Sequence, residues 1–182
     1  MLGNKHCPLH IQKLSPSDIP QLQFAGRATY EPYYPHLWKP GGLDWYMEHC
    51  FGTEVLQREL ADPNIDYMLA YSGSKAEDLI GLLKLVLKKP APGGWCTNAL
   101  YLEKIYLMPA FFGKGIGQEL IGYVLERARA LGRTAVWLQV MKTGPRHVYE
   151  KMGFETIGEA PIDFELLKEE ERGLWVMGRR LA

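Results

Sequence analysis

Three alternate glycines at the start of a strongly amphipathic segment constrain this chain more than any other feature. The run IYLMPAFFGKGIG, residues 105–117, passes from strand-like residues through a turn and directly into a helical pattern. Because glycine has no Cβ, the backbone at Gly113, Gly115 and Gly117 can approach a ligand closely. The first N–H groups of a helix have no partners within the chain, and the helix dipole makes that end positive. The run therefore predicts an anion site, to which Lys114 adds a charge.

The segments on either side of this turn predict an α/β fold with a mixed sheet. After the turn, apolar residues recur at helical spacing up to Leu131, and Gly132 provides a helix stop. Before it, residues 67–72, 79–88 and 99–108 are typical of strands joined by turns, which favours an antiparallel meander. Further along, the sequence predicts a buried strand, a short helix and two more strands, at 135–140, 143–153, 154–157 and 174–177.

The N-terminal third is less regular. Ser15 to Asp18 predicts a helix start, and a second helix is expected at residues 51–61. Between Tyr30 and Tyr46 the chain combines prolines and glycines, which exclude a continuous helix, with six Tyr and Trp residues. Two interpretations stay open at this point. The aromatic residues pack as a satellite cluster under a loop, or they form the walls of a ligand pocket in a mobile segment.

Composition and charge narrow the class of protein. The 182 residues include 21 basic and 21 acidic side chains, so no overall field attracts nucleic acid or an anionic membrane. No apolar run reaches the roughly 18 residues of a membrane span, and MLGNKHCPLH lacks the apolar stretch of a secretion signal. Three widely spaced cysteines favour a reduced cytosolic protein over a disulfide framework. We therefore expect one cytoplasmic domain, residues 1–182, without nucleic-acid or membrane partners.

Metal and dinucleotide sites are disfavoured by spacing. Cys7 with His10, and His49 with Cys50, each resemble half a zinc site, but neither has a second half at finger-like spacing. A dinucleotide fold needs a third glycine in G-x-G-x-x-G spacing, where this chain has Leu120, and an acid in the next strand, AVWLQV. A Walker loop is also absent from the sequence. We expect no metal and a diphosphate of another kind.

Two blocks of the sequence resemble the Gcn5-related N-acetyltransferase (GNAT) family. They are the turn I-Y-L-x-P-x-x-x-G-K-G-I-G at 105–117 and YEKMGF at 149–154. Within the family, the spacing is most similar to bacterial spermidine/spermine acetyltransferases. The resemblance implies a GNAT-like mixed, mostly antiparallel central sheet flanked by helices. It also implies a cofactor-binding core at about 66–159 and an acceptor-site loop at about 27–50.

The resemblance further implies acetyl-CoA as co-substrate and assigns residues to it. The strand at 105–107 would offer backbone groups to the pantetheine arm and the acetyl carbonyl, and the glycine turn would bind the pyrophosphate. Phe112 stands where the family usually has Arg or Gln, and a phenyl ring cannot donate a hydrogen bond to a phosphate. Lys142 replaces a common Asn and either contacts a phosphate or is solvated. The candidate cofactor-binding residues are Ile105, Tyr106, Leu107, Phe112, Gly113, Lys114, Gly115, Ile116, Gly117, Gln118 and Lys142.

The catalytic candidates are Tyr149 and Glu103. By resemblance, Tyr149 faces the thioester sulfur and protonates the departing thiolate; its alternative role is core packing. Because side chains alternate along a strand, Glu103 is expected to share a face with Ile105 and Leu107 unless a bulge intervenes. A carboxylate there can take the amine proton through a water. The alternative is a solvent-facing residue paired with a lysine, either Lys104 or Lys84.

The aromatic segment is the predicted acceptor site. Ring faces and carboxylates can hold an organic cation, so a small-molecule amine is expected, with a polyamine first and a protein N-terminus second. No cysteine lies in either block and no G-x-S-x-G elbow occurs, so we expect direct transfer in a ternary complex. A CoA-binding sensor without catalysis stays open, as does a homodimer. The candidate acceptor residues are Tyr30, Glu31, Tyr33, Tyr34 and His36, of which Glu31 and His36 are reserve bases.

Overall fold

A computed structural model describes residues 9–73 and 78–182 as helices and strands around one sheet. The strand order is β1-β2-β3-β4-β5-β7-β6, and within the described residues only the β4–β5 pair is parallel. This confirms the predicted mixed, mostly antiparallel sheet. The elements are β1 (His10–Lys13), α1 (Ile19–Tyr30), α2 (Gly42–Phe51), α3 (Thr53–Ala61), β2 (Ile65–Tyr71), β3 (Leu79–Val86), β4 (Ala99–Leu107), α4 (Ile116–Ala130), β5 (Ala135–Met141), α5 (Arg146–Lys151), β6 (Glu155–Pro161) and β7 (Gly173–Arg180).

Helices cover both faces of the sheet. On one face, the apolar stripe predicted for α4 packs against alternate residues of β3 and β4 such as Leu83 and Leu100. On the other face, α1, α2 and α3 enclose a second core around Tyr67 and Leu82. Alternate side chains of one strand point to opposite faces, so each central strand contributes to both cores. None of the helices within the described ranges is long and apolar enough to cross a membrane.

The aromatic segment is more helical than the sequence indicates. We expected no continuous helix from residue 30 to residue 46, but α2 begins at Gly42 and carries Trp45 and Tyr46. The prolines and glycines of this stretch all precede residue 43, so they interrupt only its first part. The second predicted helix also begins later, at Thr53, because Gly52 adopts an extended conformation between α2 and α3. The loop of the expected acceptor region is therefore limited to residues 31–41.

The single parallel pair of strands separates halfway along its length. β4 pairs with β5 only from Ala99 to Leu102, opposite Ala135 to Leu138. Beyond this point β5 continues only with β7, while β4 continues with β3 as far as Leu107. The β3–β4 ladder also skips Glu103, since Lys84 pairs with Lys104 and Leu85 with Leu102. This β-bulge bends the strand where the gap opens. The C-terminal half of β4 consequently has one backbone edge without a strand partner.

We predict that Gly81→Ala destabilises the protein because β3 and β4 approach closely at this residue. A Cβ at Gly81 would overlap the carbonyl oxygen of Tyr106 and lie 3.0 Å from the Cα of Leu107. Overpacking of this kind costs about 1–3 kcal/mol. The control is Gly122→Ala in α4, where a Cβ meets open space and alanine gains about 0.5–1 kcal/mol from helix propensity. Urea unfolding of both variants measures the difference, and equal stabilities would contradict this account.

Candidate active site

The glycine turn presents a row of unpaired backbone donors. Gly113 and Gly115 adopt positive φ values of 71° and 80°, and Gly115 is the N-cap of α4. Among the described residues, no acceptor is paired with the amides of residues 113–117, whereas Gln118 N–H donates to the Gly115 carbonyl. Alternation of negative and positive φ is typical of backbone nests that bind anions. The turn and the helix dipole together can therefore hold a diphosphate.

The open edge of β4 leads directly into this turn. Ile105 and Leu107 point to the α4 face, and Tyr106 points to the face covered by α1 and α2. Opposite the strand gap, β5 ends and α5 begins, so the turn, the strand edge and α5 lie at the same end of the sheet. An extended ligand can hydrogen-bond to the unpaired backbone of β4 as an added strand would. This edge can hold the polar arm of a ligand whose anionic group sits on the turn.

Tyr149 of α5 is buried but keeps an unused hydroxyl. Its side chain is 9% exposed, and its ring meets Phe154 edge to face at a centroid distance of 6.2 Å. Its hydroxyl takes part in none of the hydrogen bonds among the described residues, and it is not among the fully buried side-chain atoms that lack a partner, so it borders accessible space. Burial raises the pKa of Tyr149 well above its ordinary value, and the nearby Tyr34 hydroxyl raises it further. The tyrosine therefore stays protonated at neutral pH and can donate a hydrogen bond to a ligand.

Predicted acceptor residues meet the strand in an aromatic cluster. The ring centroid of Tyr30 lies 4.5 Å from that of Tyr34 and 5.4 Å from that of Tyr106. Tyr46 of α2 completes the cluster, since its hydroxyl lies 2.9 Å from the Tyr106 hydroxyl. Burial raises the pKa of all four hydroxyls, so they are neutral donors and acceptors. Tyr46 was not among the predicted acceptor residues, because its position in α2 brings it beside Tyr106 only after the chain has folded.

The outer acceptor candidates lie at the surface. Tyr33 is 49% exposed and meets Phe112, the residue before the glycine turn, edge to face with ring centroids 4.9 Å apart. His36 lies beside Tyr33 with ring centroids 6.5 Å apart. Glu31 forms an ion pair with Arg27, one helical turn earlier, at 2.5 Å. The charge of Glu31 is therefore balanced by Arg27, which argues against Glu31 as a reserve base.

Glu103 lies on the opposite face from the one that strand alternation predicts. The bulge places it with Lys84 and Tyr106, facing α2 and α3, and not with Ile105 and Leu107. Its carboxylate accepts from the ammonium of Lys84 at 2.6 Å and from that of Lys104 at 3.0 Å. The alternative considered from the sequence was a pairing with either Lys104 or Lys84. In the structure Glu103 pairs with both lysines.

A second carboxylate balances this buried charge cluster. Lys84 is 4% exposed and also donates to Glu59 of α3 at 2.7 Å, while Tyr67 donates to the other oxygen of Glu59 at 2.7 Å. Burial raises the pKa of Glu103, but Lys104 and Lys84 outweigh burial and hold it below its ordinary value. Glu103 is therefore ionised at neutral pH. The two lysines and two glutamates sum to no net charge, which is how buried ions are tolerated.

Lys142 has partners in the structure that do not belong to the glycine turn. Its ammonium pairs with Glu159 of β6 and lies 4.5 Å from the centre of the Trp175 ring on β7. These partners lie on β6 and β7, which are on the side of β5 away from β4, and this weakens the predicted phosphate contact.

Of the residues considered for a metal site, Cys7 lies outside the described residues. Within the ranges 9–73 and 78–182, no group of three or more His, Cys, Asp or Glu side chains is arranged to hold a metal ion.

Comparisons with known proteins agree on one class. The family described as acetyltransferase (GNAT) matches residues 27–154. An uncharacterised N-acetyltransferase of the pepI 3′ region of Lactobacillus delbrueckii subsp. lactis is 25% identical over 152 residues, or 82% of this chain and 86% of that protein. The PaiA N-acetyltransferase of Thermoplasma acidophilum, solved with coenzyme A, has a TM-score of 0.71 at 19% identity, covering 96% and 99% of the chains. The spermidine/spermine N-acetyltransferase SpeG of Vibrio cholerae has a TM-score of 0.63 at 20% identity, covering 95% of each chain.

The protein is thus an acyltransferase that depends on acetyl-CoA. More particularly, the chain belongs to the acetyltransferase (GNAT) family, because the family matches more than half of its length. The predicted family is confirmed by the family match, which also supports acetyl-CoA as co-substrate, and the predicted fold is confirmed by the solved structures. The residue assignments within the site stay predictions, and the geometry described above is what supports or weakens each of them.

We predict that Glu103→Gln destabilises the protein at neutral pH and has less effect in acid. The pKa of Glu103 is lowered in the folded state, so its carboxylate stabilises the fold above its ordinary pKa of about 4.3. This contribution is lost as the pH falls through the lower folded-state pKa. Loss of two charged hydrogen bonds is expected to cost about 1–3 kcal/mol at pH 7.

Urea unfolding of both proteins at several pH values between 7 and about 3 measures this effect. The control is Glu126→Gln, which removes an exposed i,i+3 ion pair with Arg129 on α4. Exposed pairs of this kind contribute little. A difference between wild type and Glu103→Gln that is the same at every pH would contradict the assigned pairing.

Proposed function

We propose that this protein transfers the acetyl group of acetyl-CoA to the primary amine of a small molecule, with a polyamine as first candidate. Transfer proceeds by direct attack of the amine on the thioester in a ternary complex. The observation that carries this proposal is the row of unpaired amides at residues 113–117, next to the open edge of β4. A diphosphate fits the amides, and a pantetheine arm fits the strand edge.

The leaving group is assigned to Tyr149. When the amine nitrogen bonds to the acetyl carbon and the C–S bond breaks, a thiolate forms and needs a proton. The hydroxyl of Tyr149, which has no hydrogen-bond partner among the described residues, supports a role as the donor. Because burial raises its pKa, the hydroxyl remains protonated over the working range of pH, and it is regenerated when the tyrosinate takes a proton from water.

Removal of the amine proton is assigned to Glu103. A lysine-like amine has a pKa near 10.4 in water, so only a small fraction is neutral and able to attack at pH 7. The nitrogen becomes acidic as it bonds to the carbonyl carbon, and a carboxylate can then accept its proton through a water. Glu103 is ionised, which supports this role, but its two lysine partners make it a weak base. Glu103 also lies on the same face of the sheet as Tyr106, which belongs to the aromatic cluster assigned to the acceptor.

The acceptor is assigned to the space bordered by the aromatic cluster. Neutral tyrosine rings attract an organic cation through their faces, and their hydroxyls can orient its N–H groups. Tyr34 supports this assignment because its ring lies 6.2 Å from that of Tyr106. SpeG of Vibrio cholerae is named for spermidine and spermine, and this likeness makes a polyamine the first acceptor to test. A protein N-terminus is the second.

The principal rival is a coenzyme A-binding sensor without catalysis. Phe112 keeps this alternative open, since a phenyl ring gives no hydrogen bond to a phosphate. The unpaired amides fit both functions, so turnover is what distinguishes them.

Two measurements on the wild-type protein test the proposed function. Isothermal titration with coenzyme A is expected to show one site, and a thiol-release assay is expected to show acetyl-CoA consumption dependent on one amine of a panel. The panel contains spermidine, spermine, single-amine compounds and peptides with free N-termini. Binding without turnover on any amine would favour the sensor, and absence of coenzyme A binding would refute both.

We predict that Tyr149→Phe lowers kcat and leaves the KM values for acetyl-CoA and amine nearly unchanged. The phenyl ring keeps the packing against Phe154 but removes the proton donor. Loss of a positioned general acid typically costs about 100-fold or more in rate. Steady-state kinetics at pH 8 measures the change.

The matched control is Tyr123→Phe on α4, whose hydroxyl contacts only the sulfur of Met68 at 3.5 Å among the described residues. This variant is expected to retain full kcat. Unchanged turnover in Tyr149→Phe would remove the tyrosine from its assigned role. Full activity of Glu103→Gln at every pH tested would likewise remove the assigned base.

A further inference from the structure

Phe112 makes one aromatic contact among the described residues, and that contact leads away from the glycine turn. Its ring is 37% exposed and meets the ring of Tyr33 at an angle of 79° with centroids 4.9 Å apart. Edge-to-face packing at this distance is a favourable aromatic geometry. A hydrophobic ring at the rim of an anion site therefore touches the segment that borders the acceptor space.

The contact continues towards the reaction centre. Tyr33 meets Tyr34 edge to face at 4.9 Å, and the ring of Tyr34 lies 6.2 Å from that of Tyr106. A series of ring contacts thus runs from Phe112, the residue before the turn, through Tyr33 and Tyr34 to Tyr106 on β4.

The acceptor segment, residues 31–41, and the glycine turn differ in their backbone hydrogen bonds. The first half of the acceptor segment is held by short turn bonds, such as Tyr34 N–H to the Tyr30 carbonyl. Its second half is tied to residues 166–168 by Lys39 N–H to the Leu166 carbonyl and Lys168 N–H to the Leu37 carbonyl. The amides of residues 113–117 have no acceptor in the described part of the protein. A diphosphate that binds these amides fixes the backbone that carries Phe112, and the ring then has a fixed position against Tyr33.

We propose that Phe112 is a positioning residue through which bound coenzyme A orders the acceptor segment, residues 31–41. This inference rests on the proposed binding of the diphosphate at the glycine turn. Coupling between two sites is reciprocal. If bound coenzyme A stabilises the ordered position of Tyr33, then Tyr33 in that position raises the affinity for coenzyme A by the same factor. A contact between two half-exposed rings sets the expected coupling at about 2- to 10-fold.

Hydrogen–deuterium exchange with and without saturating coenzyme A tests the proposal. In the wild type, coenzyme A is expected to slow amide exchange at residues 113–118 and also at residues 34–41, the latter by about 2- to 10-fold. In Phe112→Ala at saturating coenzyme A, protection of 113–118 persists and protection of 34–41 is lost. Phe112→Tyr keeps the ring and retains both.

Titration calorimetry provides the reciprocal measurement. Tyr33→Ala is expected to weaken coenzyme A binding by about 2- to 10-fold, although Tyr33 lies outside the turn, while Tyr33→Phe binds as the wild type does. In the double variant with Phe112→Ala, the two effects are not additive. The control is Phe24→Ala on α1, which removes a ring that is 65% exposed and is expected to change neither measurement.

The outcomes separate this inference from the proposed function. If coenzyme A slows amide exchange at residues 113–118 of the wild type but not at residues 34–41, the role of Phe112 is overturned. The proposed binding of coenzyme A is then unaffected. Absence of protection at both segments, with no heat of binding, refutes the proposed function itself. If Phe112→Ala does not bind coenzyme A, Tyr33→Ala decides, because it leaves the turn unaltered and is expected to lose protection of 34–41.

Discussion

The separation of β4 from β5 is the constraint on which the site depends. Parallel strands normally continue their ladder, but here pairing ends at Leu102 and Leu138. The bulge at Glu103 accompanies this separation, and its carboxylate is tied to Lys84 of the neighbouring strand and thereby to Glu59 of α3. A buried, charge-balanced cluster thus braces the strand at the residue where it diverges. The unpaired strand edge, the amide-rich turn and Tyr149 all lie on the open side of this point.

Most of the fold could be predicted from the sequence because its signals are local. Gly113, Gly115 and the apolar stripe of α4 predict the strand–turn–helix unit, and the structure has it. The antiparallel meander follows from short connections between strand-like runs, and it too is observed. The helix α2 was missed because nearby prolines and glycines dominate the pattern, although they end before its apolar positions begin.

The candidate site could be predicted only in part, since side-chain partners depend on distant elements. The turn and the buried position of Tyr149 follow from motifs, whereas the face of Glu103 depends on a bulge that alternation does not reveal. Pairing of Glu103 with Lys84 or Lys104 was considered from the sequence, and the structure has both pairs. Glu59, which pairs with Lys84 in turn, is 44 residues from Glu103 in the chain, so spacing gives no signal for it. For Lys142, the resemblance left a phosphate contact or solvation open, and the structure pairs its ammonium with Glu159, a partner that no motif indicates.

The charge balance around the aromatic cluster determines what kind of amine recognition the protein can offer. Glu103 is matched by lysines, and Glu31 by Arg27, while the tyrosine hydroxyls remain neutral. A bound organic cation would therefore interact with the faces of the tyrosine rings and with the dipoles of their hydroxyls. None of these residues would offer it a carboxylate without a positive partner. Short-range forces of this kind are little affected by ionic strength, unlike attraction between separated charges. Selectivity among amines would then follow the shape and the carbon framework of the guest more than its number of positive charges.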